Sequence, residues 1–368
     1  MAVGVYISYP FCAQKCTFCN FASDVLPKEL ERQYVASLQA EIAGTIWPSA
    51  VDTVYLGGGT PSQMDPEDLA ALLAEIPGRP WVEATLEAAP GTITAEKAQA
   101  WRRAGINRVS LGVQSFSTRE LARTGRKHTP EIVMAEMDIL KAAGINSISI
   151  DLIAGLAGQT EASWHTSLSW LSAIDPPHVS VYMLEVDEDS RLGKEVLLNG
   201  KRYGAPEIPS DQLMADFYEM AVRHLRDLGL DRYEISNFAR PGRESVHNLK
   251  YWRLEPYLGF GVDAHSFDGK TRWQNVDAVP EYIRRMTKSG SARDASDPAQ
   301  LDQEKFFVGL RLSEGVKPNP DEWLRWNQPI QLFMTQGLLE RRGDRLRLTD
   351  QGVLFSNEVF AEFVEVCA

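Results

Sequence analysis

Short apolar runs rich in β-branched residues alternate with segments of helical periodicity over the first two thirds of the chain. The runs predict six strands, at 4–9, 53–57, 82–88, 106–114, 146–154 and 178–185. Residues 26–46 predict a helix between the first two strands, with Leu30, Tyr34, Leu38 and Ile42 on one face. Strands that alternate with helices predict βαβ units and a parallel sheet.

An internal repeat supports this pattern. RRAGINRVSLGVQ at 102–114 resembles KAAGINSISIDLI at 141–153, and a weaker copy lies at 226–236. Each copy has a helix end, a glycine suited to capping it, and an apolar strand. Repeated units predict a closed or partial α/β barrel, with a doubly wound sheet as the alternative. In either architecture, ligands bind at the carboxyl ends of the strands.

The pattern changes after about residue 240. Residues 241–280 are rich in glycine, aromatics and histidine, and helical stretches follow from about 300. A short hairpin is predicted around Arg342, Gly343 and Asp344, with a helix on each side. We therefore predict an α/β barrel over 1–240, a connecting segment over 241–295, and a small, mainly helical, winged-helix-like domain over 296–368.

Composition and charge narrow the class of protein. The chain has 368 residues and a net charge of −12, which argues against nonspecific binding to nucleic acid. It has no apolar run of about 18 residues, and no basic-then-apolar signal at its start. These features predict a cytoplasmic protein without a transmembrane segment, and they leave peripheral contact with a membrane open.

Three of the four cysteines lie close together. Cys12, Cys16 and Cys19 follow a C-x3-C-x2-C pattern, and Cys367 is the penultimate residue. Three thiolates on one loop can bind three irons of a [4Fe–4S] cluster and leave the fourth iron open. A zinc site normally has four ligands, and no other Cys or His lies nearby. The spacing favours the cluster, while a zinc site and three unrelated structural cysteines remain alternatives.

The cysteine spacing resembles that of the radical S-adenosylmethionine (SAM) superfamily, and the whole chain resembles its coproporphyrinogen dehydrogenase/HemW branch. YLGGGTPS, TLEAAPGT, LGVQSF, GRKHT and SISIDLIAGL arrive in that branch's order. The resemblance implies a partial (β/α)6 barrel in which SAM binds the open iron and is cleaved to a 5′-deoxyadenosyl radical. The cluster ligands that it implies are Cys12, Cys16 and Cys19, and the implied cofactor-binding residues are Tyr6, Phe18, Gly58, Gly59, Thr60, Glu87, Gln114, Arg126 and Asp151.

Three departures from the dehydrogenases favour the HemW branch. Dehydrogenases typically have another cysteine two residues after the third, where this chain has Phe21. They tend to have a histidine in the first strand, where this chain has Ser8, and they carry a long N-terminal extension, for which this chain has no room before Cys12.

The resemblance to the HemW branch also implies that the chain binds heme. HemW-type proteins bind heme and are thought to deliver it to acceptor proteins. Their H-N-x-x-Y-W motif is matched by His247, Asn248, Tyr251 and Trp252. We therefore predict that an exposed His247 ligates heme iron, with closure of the barrel mouth as the motif's alternative role.

The predicted function is to bind heme and pass it to acceptor hemoproteins, with a [4Fe–4S] cluster and SAM as cofactors. One alternative is oxygen-independent oxidation of coproporphyrinogen III to protoporphyrinogen IX. Another is a radical SAM methyltransferase or cyclopropanase. The sequence assigns no catalytic residue, and it leaves open whether SAM is cleaved in turnover.

Overall fold

The computed structural model describes residues 2–48 and 50–364, so Cys367 lies outside the described residues. Six parallel strands form its centre and pair in chain order, which confirms all six predicted strands. They are β1 (Val3–Tyr9), β2 (Val51–Gly58), β3 (Glu83–Ala88), β4 (Arg108–Gln114), β5 (Ser147–Ala154) and β6 (His178–Met183).

Helices connect successive strands of this sheet. They are α1 (Lys28–Ala43), α2 (Pro66–Ala74), α3 (Ala95–Arg103), α4 (Thr118–Thr124), α5 (Pro130–Ala142) and α6 (Glu161–Ile174). As predicted, α1 buries Tyr34, Leu38 and Ile42 against the sheet. Because the strand order never reverses, right-handed crossovers place these helices on one face of the sheet. The partial barrel is therefore confirmed, and the doubly wound alternative is wrong.

The repeated glycines have the conformation that the sequence pattern requires. Gly105 follows α3 with a φ of 102°, and Gly144 follows α5 with a φ of 82°. A residue with a Cβ rarely adopts this left-handed conformation, which ends a helix and turns the chain into the next strand.

The segment after β6 extends the sheet at both ends. It contains α7 (Arg191–Leu197), α8 (Asp211–Asp227), β7 (Asp231–Arg232), β8 (Asn237–Ala239), α9 (Val246–Trp252), β9 (Tyr257–Phe260), β10 (His265–Phe267), β11 (Thr271–Asn275), α10 (Val279–Ser289) and β12 (Arg293–Pro298). In the described part of the chain, the sheet order is β12-β11-β10-β9-β1-β2-β3-β4-β5-β6-β8-β7. Since β1 pairs with β9 and β6 with β8, the barrel stays open.

The C-terminal part has the predicted order of helices, hairpin and helix. Its elements are α11 (Leu301–Phe307), α12 (Pro320–Arg325), α13 (Asn327–Thr335), β13 (Leu339–Arg342), β14 (Arg345–Leu348), α14 (Asp350–Leu354) and α15 (Ser356–Ala361). Phe306, Trp326 and Phe363 pack together in its core. The predicted domain limits at 240 and 295 stay a prediction. Among residues 2–48 and 50–364, no helix is long and apolar enough to cross a membrane.

Candidate functional site

The carboxyl ends of β1 to β5 meet at one edge of the sheet, which we call the carboxyl edge. The cysteine loop, residues 12–24, follows β1 at this edge, and Gly59 and Thr60 follow β2. Most predicted cofactor residues lie on these strands or in the connections that leave this edge; they are Tyr6, Cys12, Cys16, Phe18, Cys19, Gly58, Gly59, Thr60, Glu87, Gln114, Arg126 and Asp151.

The three cysteines of the loop are free thiols and are partly buried. The Thr60 hydroxyl lies 3.5 Å from Cys12 Sγ and donates a hydrogen bond to it. Burial raises the pKa of the Cys12 thiol, and the neighbouring Cys19 and Cys16 raise that pKa further. Thiols that oppose each other's ionisation become thiolates together when a cation binds them, as iron does.

Contacts on two sides hold the cysteine loop in place. Leu192 N donates to Thr17 O at 2.8 Å, and Thr17 Oγ1 donates to Arg123 O at 3.3 Å. Phe18 packs with a small apolar cluster that includes Ile153 and Leu184. Phe18 therefore has a packing role, which is compatible with its predicted place beside the cofactor pocket.

The number of thiols suits a [4Fe–4S] cluster better than a zinc ion, because structural zinc normally has four protein ligands. In the described ranges, no three His, Cys, Asp or Glu side chains are placed to hold one metal ion. Zinc ligands share one centre, whereas each thiolate of a [4Fe–4S] cluster binds a different iron. A cavity of about 470 Å³, lined by Lys15, Arg191 and Lys194 among others, opens beside the loop. Asp24 and Asp189 line the same cavity, so its charge is mixed.

The glycines after β2 are fixed against the start of the cysteine loop. Gly59 N donates to Tyr9 O at 2.7 Å, and Thr60 N donates to Phe11 O at 2.9 Å. A Cβ at Gly59 would lie 2.8 Å from the carbonyl oxygens of Tyr9 and Phe11. Only glycine fits this approach without moving backbone, and the approach places the Thr60 hydroxyl on Cys12.

Glu87 lies inside the barrel beside two tyrosines. The Tyr55 hydroxyl donates to Glu87 Oε1 at 2.8 Å, and Tyr55 stacks on Tyr6 with ring centroids 6.1 Å apart. Burial raises the pKa of Glu87 to about 7, and the charge of Asp151 acts in the same direction. Burial and the charge of Glu87 also raise the pKa of Tyr6. A carboxyl group held near its titration point stabilises a cationic ligand strongly once it ionises.

Gln114 and Arg126 meet over the same stretch of β4. Gln114 ends the strand with a left-handed φ of 70°, and its side chain folds back towards Gly112. Arg126 Nη1 donates to Gly112 O at 2.6 Å, while its buried Nε has no hydrogen-bond partner in the described residues. An unpaired buried guanidinium nitrogen is costly, and an acceptor such as a carboxylate or hydroxyl of a ligand would satisfy it.

Asp151 is surrounded by hydroxyl groups on neighbouring strands. Ser110 Oγ donates to it at 2.8 Å, and Ser149 Oγ donates at 3.1 Å. Burial raises the pKa of Asp151. The hydroxyls hold its carboxylate within electrostatic reach of Glu87, so the two acidic groups face one interior volume.

His247 lies elsewhere, and the expectation that it is exposed is wrong. Its side chain is 0% exposed, with Nδ1 2.9 Å from Thr53 Oγ1 and Nε2 2.8 Å from the Tyr251 hydroxyl. Burial lowers the pKa of His247 to about 3, so the ring is neutral. Both nitrogens are therefore engaged, and neither is free to ligate iron.

The helix that carries His247 closes the opposite end of the barrel. Glu83, the first residue of β3, accepts hydrogen bonds from Ser245 Oγ, Val246 N and His247 N, each at 3.0 Å. Thr53 is near the start of β2, about 17 Å along the strand from Gly58. The H-N-x-x-Y-W motif thus packs at the amino ends of the strands, and His247 contacts the cofactor residues only through Tyr55, on which its ring stacks at 5.3 Å.

Two residues inside the barrel were not predicted from the sequence. Tyr55 binds Glu87, and Glu83 caps α9. Inward-facing polar residues on predicted strands are the only sequence signal for either residue, and that signal does not identify a partner far along the chain.

Three thiols on the first loop of an open parallel barrel, next to a glycine-rich β2 end, define the radical SAM class of protein. Residues 6–171 match the radical SAM superfamily, and residues 297–355 match the HemN C-terminal domain. The solved structure of coproporphyrinogen III oxidase (HemN) from Escherichia coli, a radical SAM enzyme, has the same fold. Its TM-score is 0.84 at 22% identity, covering 98% of this chain and 90% of that one.

Curated relatives identify the branch of the radical SAM superfamily to which this chain belongs. The heme chaperone HemW of Bacillus subtilis is 34% identical over 377 aligned positions, covering 98% of each chain. The heme chaperone HemW of Escherichia coli is 30% identical over 390 positions, again with 98% of each chain. This chain belongs to the HemW family of radical SAM proteins.

Family membership implies a [4Fe–4S] cluster and SAM as cofactors, and the residues at the carboxyl edge fit both. Cys12, Cys16 and Cys19 are the predicted source of the thiolates of a three-cysteine cluster. The raised pKa of Glu87 and the unpaired Nε of Arg126 suit the charged groups of SAM. The assignment of individual residues to SAM stays a prediction.

Proposed function

We propose that this chain binds heme and delivers it to acceptor hemoproteins, working in the cytoplasm. Similarity to HemW chaperones along 98% of the chain is the observation that carries the proposal. Delivery needs a site that holds heme reversibly, and it does not require that the porphyrin be altered. The cytoplasmic setting agrees with the free thiols of the cysteine loop, since thiols stay reduced there.

We propose a separate role for each group of residues at the carboxyl edge. Cys12, Cys16 and Cys19 would hold the cluster, and Thr60 would orient Cys12 through its hydrogen bond. Arg126 and Glu87 would hold SAM by its charged groups, with Tyr55 fixing the Glu87 carboxyl. A reduced cluster held there would supply the electron for cleavage of SAM. The hydroxyls of Ser110 and Ser149 would hold the Asp151 carboxylate in place by donating hydrogen bonds to it.

The second candidate function is oxidative decarboxylation of coproporphyrinogen III, because the fold matches that of HemN. Two residues argue against this second function. Phe21 stands where dehydrogenases typically have a fourth cysteine, and it is 63% exposed. Ser8 stands where they tend to have a histidine, and it is buried at the end of β1. A hydroxyl and a phenyl ring cannot replace the acid–base or thiol chemistry of those positions.

A paired assay tests the two functions. The anaerobically reconstituted chain should bind heme at a single saturable site, seen as a shifted Soret band. With coproporphyrinogen III, SAM and a reductant, the same preparation should form no protoporphyrinogen IX. Heme transfer is then followed by mixing the loaded chain with an apo-hemoprotein and separating the two. Absence of heme binding would contradict the chaperone proposal, and robust SAM-dependent decarboxylation would establish the second candidate.

SAM binding should depend on pH through Glu87. Because the pKa of this carboxyl is raised to about 7, it is largely protonated below pH 7 and ionised above. Only the ionised form attracts the cationic groups of SAM, so affinity should rise as pH increases through 7 and then level off. Glu87→Gln should bind SAM about tenfold or more weakly at pH 8 and lose this dependence.

Isothermal titration with the reconstituted cluster measures this effect. Glu96→Gln, on the exposed surface of α3, is the matched control and should leave affinity and pH dependence unchanged. Iron content should be the same in all three proteins. Equal SAM affinity in the Glu87→Gln variant and the unaltered chain would remove Glu87 from the binding site.

A further inference from the structure

We propose that residues 185–208 form a strap that positions the second and third cluster thiols, and that loading of the cluster orders this strap. The strap is the connection that leaves β6 at the carboxyl edge and leads into α8. The inference rests on the proposed cluster site and is independent of heme delivery. It gives a positioning role to a segment for which the sequence predicts none.

The strap is a long connection for a parallel barrel. It contains α7 and a short 3₁₀ turn at Arg202–Glu207, and loops join these two pieces to β6 and α8. Connections between strands and helices in α/β units usually have about 2–6 residues, and much longer ones commonly act as lids or binding loops. The place of the strap beside the cysteine loop therefore calls for a functional reason.

The strap contacts the cysteine loop between the second and third cysteines. Leu192 N donates to Thr17 O at 2.8 Å, and Phe18 packs in the apolar cluster that contains Leu192. From another side, the Thr17 hydroxyl donates to the carbonyl oxygen of Arg123 on α4. The two residues between these cysteines are thus held by elements outside the loop. The separation of the two thiols depends on those elements as well as on the loop itself.

The strap packs in a small core of its own. Its buried Leu192 belongs to an apolar cluster that is separate from the main core. The other buried members are Ile153, Leu156 and Leu184. Partly buried side chains of the strap and the ring of Phe18 complete the cluster. Because segments with few buried apolar contacts open locally before the rest of a protein, the strap is a low-stability unit of this fold.

The backbone of the strap adds to this low stability. Asn199 has a φ of 51° and Tyr203 a φ of 58°. Both values are left-handed and cost energy, more for tyrosine than for asparagine. Arg191 Nη2 donates to the Tyr203 hydroxyl at 2.7 Å, and the guanidinium stacks on the ring. Such conformations persist where surrounding contacts over-determine them, and the contacts with the cysteine loop are among these.

Order in the strap and order in the cysteine loop are therefore coupled. A cluster bound by three thiolates would fix the loop backbone, including the Thr17 carbonyl that accepts from Leu192. Coupling is reciprocal, so the strap stabilises the bound cluster by the same free energy with which the cluster stabilises the strap. Without the cluster, the strap should open more often. With a loosened strap, the cluster should be lost sooner.

Limited trypsin digestion of the full chain measures the order of the strap. Trypsin cuts after lysine and arginine, and the strap presents the exposed Lys194, Lys201 and Arg202. After anaerobic reconstitution, cleavage at these sites should be on the order of tenfold slower than in the cluster-free chain, because proteolysis follows the population of the open segment. Cleavage after Arg342, at the exposed end of β13, should have the same rate in both. Mass spectrometry of the fragments over time gives each rate.

Two leucines of the strap form a matched pair of variants. Leu192 is 3% exposed, whereas Leu198 is 78% exposed. Leu192→Ala should take up iron anaerobically, lose its protection from trypsin on loading, and lose its cluster in air about threefold faster or more. Leu198→Ala should behave as the unaltered chain does in all three measurements. Leu192→Met keeps the side-chain volume, so it should restore both protection and air stability.

The possible results separate three claims. Equal cleavage of the strap before and after loading of the unaltered chain would overturn the coupling while leaving the cluster site intact, and this comparison needs no variant. Full protection and unchanged air stability in Leu192→Ala would overturn the positioning role of the strap. Failure of the unaltered chain to take up iron would overturn the proposed cluster site itself. Heme binding enters none of these measurements.

Discussion

Replacing Cys12, Cys16 or Cys19 with serine should abolish the iron–sulfur cluster in each single variant. The loop offers three thiols and no substitute, because no fourth cysteine lies in the described part of the chain. A serine hydroxyl does not ionise near neutral pH and is a poor ligand for iron in a sulfide cluster. After anaerobic reconstitution, the unaltered chain should hold roughly four irons and show a broad blue absorption shoulder, and each variant should hold essentially none.

Two further variants make this result specific. Ser23 Oγ lies 3.8 Å from Cys19 Sγ, so Ser23→Ala alters the loop without removing a thiol and should retain the cluster. Cys367→Ser should also retain it, because the three loop thiols complete the predicted ligand set. A stable cluster in any of the three loop variants would reveal another ligand. Retention of zinc without iron in the unaltered chain would contradict the cluster itself.

Much of the fold could be predicted because its signals are local. Each strand of the central barrel is one apolar run, and each repeat glycine has the positive φ that ends a helix, as at Gly105 and Gly144. The pairing of β9 with β1 was not predicted. Their residues are about 250 positions apart, as in the pair Gly4 and Tyr257, and β9 is only four residues long. Nothing in so short a run indicates which strand it joins.

The residues that meet at the carboxyl edge were predictable for a related reason. In a parallel barrel, every motif that directly follows a strand reaches the same edge, so Cys12, Thr60 and Glu87 are brought near one another by topology. The position of α9 depends instead on which side chains cap and bury it. Glu83 and Thr53 perform that role, and neither is close in sequence to His247. The motif alone therefore could not distinguish a ligand from a buried residue.

His247→Ala should destabilise the fold. The substitution leaves the hydroxyls of Thr53 and Tyr251 without their partner and opens a cavity against Tyr55, which stacks on the imidazole at 5.3 Å. Unsatisfied buried hydroxyls and a lost ring together should lower the free energy of unfolding by about 2–4 kcal/mol. Denaturant unfolding at pH 7 measures this loss, and the exposed His165→Ala should change it by less than about 0.5 kcal/mol.

The pH dependence gives a second test of His247. Its folded-state pKa of about 3 lies below the usual 6.5, so the unfolded chain takes up a proton first as pH falls. His247 therefore favours folding fully above pH 6.5, and that contribution is lost progressively between 6.5 and 3. The stability gap between the unaltered chain and His247→Ala should narrow over the same range. A variant of unchanged stability that loses the imidazole Soret band would instead mean that α9 opens to expose His247 when heme binds.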